Sequence, residues 1–117
     1  MKGLRTRDIS IGGGLIATQG LMAVVRYDCY LPQGERCAVG SLFITVGNDR
    51  NTFPAITAGI LGMAVGGVRE LKVAPQLAYR ERANNSAIPE AAALRYEVTL
   101  LSLWDATGGQ RLSTAAT

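Results

Sequence analysis

An α+β fold is predicted for this chain, with an antiparallel, twisted β-sheet of about five strands wrapped on one short α-helix. Three observations lead to this prediction. Several segments alternate between apolar and polar residues, one segment has apolar residues at helical spacing, and turn residues rather than long helical crossovers separate them. With 117 residues, 48% of them hydrophobic, the chain has room for one domain with a single core.

The alternation is clearest in the segment MAVVRYDCYL, where Val25, Tyr27 and Cys29 share one face, and near the C-terminus, where Tyr96 and Val98 do so. β-branched and aromatic residues reinforce both patterns. The predicted strands are 4–11, 22–31, 42–46, 68–73 and 94–103.

Pro32 and Gly34 predict a hairpin after the second strand, because proline suits the first central position of a type I turn and glycine the left-handed position after it. Counting outward from this turn places Cys29 opposite Cys37. Two interpretations stay open for the two cysteines: a redox-sensitive pair at a pocket rim, or two reduced thiols that act as small hydrophobic side chains.

The one predicted helix begins at Pro54, since a proline in the first turn loses no helical hydrogen bond. Ile56, Ile60 and Met63 follow at spacings that put them on one face. Two glycines weaken this helix, so packing must stabilise it.

Residues 105–117 are mostly small and polar, and they are predicted to form a disordered tail after a domain of residues 1–104. Earlier in the chain, Gly12–Gly14 lacks the Gly-Lys-Ser/Thr of a phosphate loop and the Rossmann spacing. A turn or bulge is therefore predicted there.

Composition excludes several functions. The absence of histidine removes imidazole catalysis and histidine metal ligation, and no metal site or cofactor is predicted. The net charge of +3 comes from scattered residues, and only 6% of residues are aromatic, so no nucleic-acid partner is expected.

No apolar run has membrane-spanning length, and the charged N-terminus lacks the apolar core of a secretory signal. Two cysteines are too few for a disulfide scaffold. These observations together predict a cytoplasmic protein without a membrane partner.

Three motifs stand in one order between the helix and the last strand: GILGMAVG at Gly59–Gly66, PQLAY at Pro75–Tyr79 and IPEAAAL at Ile88–Leu94. In this order and spacing they resemble the second half of an FKBP domain, the macrolide-binding class of peptidyl-prolyl cis-trans isomerases. The resemblance implies a protein-folding helper, or chaperone, that acts on X-Pro bonds in proline-containing peptides or proteins. It implies no cofactor.

The resemblance also implies site residues. Tyr79 matches the tyrosine whose hydroxyl hydrogen-bonds the substrate, and Phe53 matches a residue whose backbone N–H receives a substrate carbonyl. Apolar, substrate-binding walls are expected from Tyr27, Cys37, Leu42, Ile56, Ile88 and Tyr96. Taken singly, most of these residues also fit an ordinary core.

The chain departs from the family pattern at several of these positions. Cys37–Ala38 stands in place of a Phe-Asp pair, Leu42 in place of a common phenylalanine, Arg80 in place of a glycine and Glu90 in place of a proline. These departures argue against macrolide binding and for reduced isomerase turnover. The alternative function is a non-catalytic FKBP-fold module that binds a peptide or protein in the same groove, or that serves only as a scaffold.

Overall fold

The computed structural model describes residues 2–48, 53–82 and 92–116. Within these residues it contains one six-stranded sheet and two short helices. The strands are β1 (Leu4–Ser10), β2 (Met22–Tyr30), β3 (Arg36–Thr45), β4 (Val68–Val73), β5 (Leu94–Trp104) and β6 (Arg111–Thr114), and the helices are α1 (Pro54–Gly59) and α2 (Pro75–Arg82).

The sheet has the order β1-β4-β5-β2-β3, with β6 paired to the end of β5, and every pairing is antiparallel. The predicted α+β architecture is confirmed: an antiparallel sheet packs against a short helix. Strand β5 alternates between buried and half-buried residues from Leu94 to Ser102, as the sequence pattern predicts.

One hydrophobic core lies between the inner face of the sheet and α1. Its largest fully buried side chains come from both, and they include Ile56, Ile60, Leu71, Tyr96, Val98 and Leu100. The core therefore holds α1 across the sheet although the helix is short and contains glycine.

Helix α1 begins with Pro54 at its first position and is followed by Ile60, whose N–H donates to the Ile56 carbonyl at 3.1 Å. Gly62 then has φ of +85°, a conformation that favours glycine and ends the helical path. Met63 thus lies beyond the helix, yet it is buried as the spacing predicts.

The predicted hairpin joins β2 and β3. Leu31 donates its N–H to the Glu35 carbonyl at 2.8 Å, and Gly34 closes the turn with φ of +96°. Proline and glycine thus have the positions that the turn chemistry predicts.

The register beyond the turn differs from the predicted one. Cys29 pairs with Ala38 and Tyr30 pairs with Arg36, so Cys37 is an extra residue in a β-bulge. Direct pairing of Cys29 with Cys37 was therefore the wrong expectation, since a bulge sets two residues of one strand against one of the other.

A second helix, α2, occupies Pro75–Arg82 where only a connection is predicted. The Ala74 carbonyl accepts hydrogen bonds from the N–H groups of Leu77 and Ala78 at 3.0 and 2.9 Å. Leu77 and Ala78 are buried, so tertiary packing stabilises a helix too short to form alone.

The glycine run packs closely against the chain after α1. A Cβ on Gly12 would lie 2.2 Å from the Val65 carbonyl oxygen, and the Gly14 N–H donates to the same oxygen at 3.1 Å. Gly12 is therefore needed for close backbone approach.

The C-terminal segment is ordered where a disordered tail is predicted. Asp105 accepts hydrogen bonds from the Thr107 hydroxyl at 2.8 Å and the Gly109 N–H at 3.0 Å, which fixes a turn, and β6 then pairs with β5. The Ala115 N–H also donates to the Leu101 carbonyl at 2.8 Å. The prediction failed because backbone pairing rather than large apolar side chains holds this strand.

Candidate functional site

Three aromatic rings form a cluster on the inner side of the sheet. The Tyr27 ring lies between the other two, with its centroid 5.7 Å from that of Phe53 and 5.8 Å from that of Tyr96. The ring of Tyr96 meets Tyr27 edge-on at 79°, a favoured arrangement for aromatic pairs. Three predicted site residues are thus brought together in this aromatic cluster of Tyr27, Phe53 and Tyr96.

The sheet register places Tyr27 in the middle of β2, opposite Val98 of β5 on one side and Gly40 of β3 on the other. A Cβ on Gly40 would lie 3.0 Å from the Tyr27 hydroxyl oxygen and 3.2 Å from two ring carbons. The missing side chain of Gly40 therefore leaves room for the Tyr27 ring over β3. Sequence reasoning missed Gly40, although a glycine inside a strand is a signal of close packing.

The start of helix α1 contributes Phe53 to the cluster. Phe53 is its N-cap residue, and the Phe53 carbonyl accepts a hydrogen bond from the Thr57 N–H at 3.0 Å. Ile56 lies one turn into the helix and is fully buried. The helix start thus carries both of the predicted site residues that belong to it.

Exposure divides the predicted walls into two groups. Tyr27 and Phe53 are half-buried, whereas Tyr96 is 2% exposed and Ile56 is 0% exposed. Ile56 and Tyr96 therefore belong to the packed core, and of these four residues only Tyr27 and Phe53 expose part of their surface.

The third side of the site comes from β3. Cys37, Ala38 and Leu42 are half-buried and pack against the core. The Cys37 thiol lies 3.5 Å from the Cys29 sulfur, and no disulfide joins the two residues. The small side chains of Cys37 and Ala38 thus stand where the family pattern has a Phe-Asp pair.

Two predicted residues are not placed by side chain. Tyr79 lies in α2, at a position where only the backbone is described, and Ile88 lies outside the described residues. Their roles stay predictions, as does the role of the Phe53 backbone N–H.

The described members of the site carry hydroxyl, thiol and apolar groups but no carboxylate or amine. In the part of the chain that the structure describes, no three metal-ligating side chains come together. Such a surface suits contact with an apolar ring and binding of a carbonyl or N–H by single hydrogen bonds.

A groove of about 780 Å³ lies at the end of the sheet where β1 begins and β4 ends. None of the residues described in its lining belongs to the predicted site. Sequence reasoning missed this groove because residues from four distant segments meet there only through the sheet order.

The fold is an antiparallel α+β domain with a partly exposed aromatic cluster at the start of α1. The family model of the FKBP-type peptidyl-prolyl cis-trans isomerases matches residues 14–101. Because this match covers most of the chain, the chain belongs to that family.

The similarity to individual proteins agrees with the family match. The chain is 29% identical over 102 residues to the 46 kDa FK506-binding nuclear protein of Spodoptera frugiperda, covering 84% of this chain and 25% of the relative. It is 32% identical over 104 residues to FK506-binding protein 4 of Rhizopus delemar, covering 86% and 27%. The chain thus spans about a quarter of the length of these two relatives.

Among solved structures, the crystal structure of AtFKBP13 superposes with a TM-score of 0.67 at 25% identity, covering 84% of this chain and 90% of that one. This agreement confirms the FKBP fold. Within the described residues, neither helix is long and apolar enough to cross a membrane.

Proposed function

We propose that this chain is a peptidyl-prolyl cis-trans isomerase that binds X-Pro segments of peptides or proteins over the aromatic cluster and turns them over slowly. In this proposal Tyr27 and Phe53 contact the proline ring, and Ile56 and Tyr96 support them from behind. Tyr79 donates a hydrogen bond to the substrate, as the PQLAY motif suggests.

Isomerisation of an X-Pro bond requires an apolar surface but no acid, base or nucleophile. Rotation about an X-Pro bond loses amide resonance against a barrier of about 18 to 20 kcal/mol, and no proton or covalent bond has to move. Because a planar amide is more dipolar than a twisted one, an apolar surface penalises the ground state more than the transition state. A histidine-free site without carboxylates is suited to this reaction.

The observation that carries the proposal is the position of the Tyr27 ring. It bridges Phe53 at the start of α1 and Tyr96 of β5, with centroid distances below 6 Å on both sides. Two half-buried rings, backed by fully packed side chains, offer a rigid apolar surface of the kind that a proline ring can contact.

Reduced turnover is proposed from the wall on β3. Cys37–Ala38 offers less apolar area than the Phe-Asp pair of the family pattern, and it supplies no carboxylate. A missing aromatic wall costs on the order of 1 to 3 kcal/mol, which corresponds to a rate loss of about tenfold or more. The same loss argues against tight binding of macrolides.

A second candidate is a non-catalytic module that binds peptides at the same place. The full burial of Ile56 and the near-full burial of Tyr96 favour it, because a floor without exposed surface limits how deeply a proline ring can enter. In both candidates the partners are proline-containing segments, no cofactor takes part, and the cytoplasmic location stays a prediction.

NMR exchange spectroscopy on a short peptide with one Leu-Pro bond distinguishes the two functions. We expect added protein to raise the cis–trans exchange rate. Tyr79→Phe should lower that enhancement about three- to tenfold, since one hydrogen bond is worth about 1 kcal/mol.

Tyr30→Phe is the matched control, because Tyr30 lies under the Arg95 guanidinium and outside the aromatic cluster. It should leave exchange unchanged. No enhancement at high protein concentration removes the isomerase proposal. Peptide-induced shifts at Tyr27 and Phe53 without exchange would then support the binding module.

A further inference from the structure

Three cations face one another across the sheet. Arg5 of β1 pairs with Lys72 of β4, and Lys72 pairs with Arg95 of β5. Neighbouring strands lie about 4.8 Å apart, so these three residues, the cation row, span about 10 Å. Like charges directly opposite one another destabilise a sheet, which gives this arrangement a cost that needs an explanation.

The row is only partly compensated. Arg95 lies 3.3 Å from the Glu97 carboxylate and 4.0 Å from that of Glu70, and its guanidinium lies 4.2 Å from the centre of the Tyr30 ring. Arg5 and Lys72 are exposed, and neither forms a salt bridge with another of the described residues. The uncompensated positive charge is therefore concentrated on β1 and β4.

All three cations line the groove of about 780 Å³ at this end of the sheet. Lys2 adds a fourth positive charge, and the half-buried Leu4 and the exposed Pro32 contribute apolar surface beside the buried Leu31 and Leu94. The described lining contains no aspartate or glutamate. The groove thus combines a cationic rim with apolar surface, and its volume lies within the range of ordinary ligand pockets.

We propose that this groove binds an acidic, extended peptide segment of a partner protein. Alternate side chains of an extended chain lie about 6.7 Å apart on one side, which is between the spacing of neighbouring members of the cation row and its full length, so two flexible carboxylates can reach different members of the row. Residues between them place apolar side chains toward Leu31 and Leu94. Carboxylates at the row relieve the repulsion between Arg5 and Lys72.

A peptide fits this lining better than single-stranded nucleic acid does. Proteins that bind single strands combine positive charge with aromatic side chains on which bases stack. The described lining has no aromatic residue. The groove therefore offers charge and aliphatic contact but no stacking surface.

This site is separate from the pocket of the proposed isomerase, so a proline-free probe tests it alone. Fluorescence anisotropy of a labelled peptide of alternating glutamate and alanine should show binding at low ionic strength that weakens at about 0.15 M salt. The peptide of alternating glutamine and alanine should not bind. Arg5→Gln with Lys72→Gln should raise the Kd for the acidic peptide at least about tenfold.

The double variant Arg26→Gln with Arg111→Gln is the matched control. Both arginines are exposed and lie outside the groove, and their substitution removes the same two positive charges. It should change the Kd by less than about twofold. Equal weakening by both double variants, or no binding of the acidic peptide by the wild type, overturns the proposal. Tighter binding of a single-stranded oligonucleotide that depends on Arg5 and Lys72 overturns the assignment to a peptide.

Discussion

The sulfur atoms of Cys29 and Cys37 lie 3.5 Å apart across the β2–β3 pair. Their contact comes from the β-bulge, which turns the extra residue Cys37 to the same side as its neighbour Ala38. No disulfide joins them, and Cys29 lies in the hydrophobic core while Cys37 packs against it. The pair is therefore placed for disulfide formation once an oxidant is supplied.

We expect thiol titration in denaturant to count two thiols in freshly reduced protein, and none after the native protein has been treated with hydrogen peroxide, because Cys29 is buried in the native fold. In that step the two thiols lose their hydrogens, one S–S bond forms and the peroxide is reduced to water. Intact mass measurement should show the loss of two hydrogens from the monomer. Two free thiols that survive the oxidant, or a disulfide between two chains, would contradict this pairing.

Gly40→Ala should disturb the aromatic cluster, because the added methyl would lie 3.0 Å from the Tyr27 hydroxyl oxygen. We expect a loss of about 1 to 3 kcal/mol in the free energy of unfolding, as in other overpacked cores. Tyr27→Phe removes the nearest atom, so the double variant should lose less than the two single losses added together. Urea unfolding of the wild type, the two single variants and the double variant gives the coupling free energy between the two positions. Strictly additive losses of unfolding free energy would show that the two residues do not interact.

Gly12→Ala and Gly13→Ala should differ sharply although the two residues are neighbours. A methyl at Gly12 would lie 2.2 Å from the Val65 carbonyl oxygen, whereas one at Gly13 would meet nothing within 4 Å. The first should cost at least about 1 to 3 kcal/mol. The second should be neutral or add up to about 1 kcal/mol. Similar melting temperatures for the two variants would contradict this packing.

Glu70 should make stability depend on pH. The hydrogen bond from the Arg7 side chain holds the pKa of Glu70 below its ordinary value of 4.5, although burial acts in the opposite direction. Because the folded state binds the proton more weakly than the unfolded chain, the stabilisation is present above pH 4.5 and lost as pH falls through the lower, folded pKa.

The measurement is the unfolding free energy of wild type and Glu70→Gln between neutral pH and strong acid. Their difference should be about 1 kcal/mol at neutral pH, since the Arg7 side chain is 71% exposed, and it should shrink in acid. Glu35→Gln serves as the control, because Glu35 is exposed on the hairpin. A difference in unfolding free energy between wild type and Glu70→Gln that grows as the pH falls would contradict a lowered pKa of Glu70 in the folded state.

Removal of residues 105–117 should destabilise the domain, since β6 pairs with β5 and the Leu15 N–H donates to the Ser113 hydroxyl at 3.2 Å. We expect a loss of about 1 to 3 kcal/mol in thermal or urea unfolding. Leu112→Ala, at an exposed position of the same strand, should change stability far less. An unchanged stability of the truncated protein would contradict a stabilising role for β6.

Sequence reasoning succeeded where periodicity and turn chemistry agree. The alternation in β2 and β5, the Pro32–Gly34 turn and the start of α1 at Pro54 all appear as predicted. These features depend on local spacing, which a single sequence records directly.

Sequence reasoning failed where strand register or backbone pairing determines the structure. The bulge at Cys37 shifts the partner of Cys29 by one residue, and no residue type announces it. The turn at Asp105 is visible as an Asp-x-Thr-Gly-Gly sequence, but a strand as short as β6 carries too little alternation to be recognised alone. Gly40 was missed because its partner ring comes from another strand.

The position of Trp104 determines what intrinsic fluorescence can report. It is the single tryptophan of the chain, at the end of β5, and its ring meets Phe43 edge-on at 5.9 Å. Its emission therefore tracks the packing of the C-terminal hairpin on β3, on the side of the sheet away from Tyr27. Peptide titrations followed by tryptophan emission should stay silent even when the aromatic cluster is occupied, so NMR or a labelled ligand is the appropriate probe.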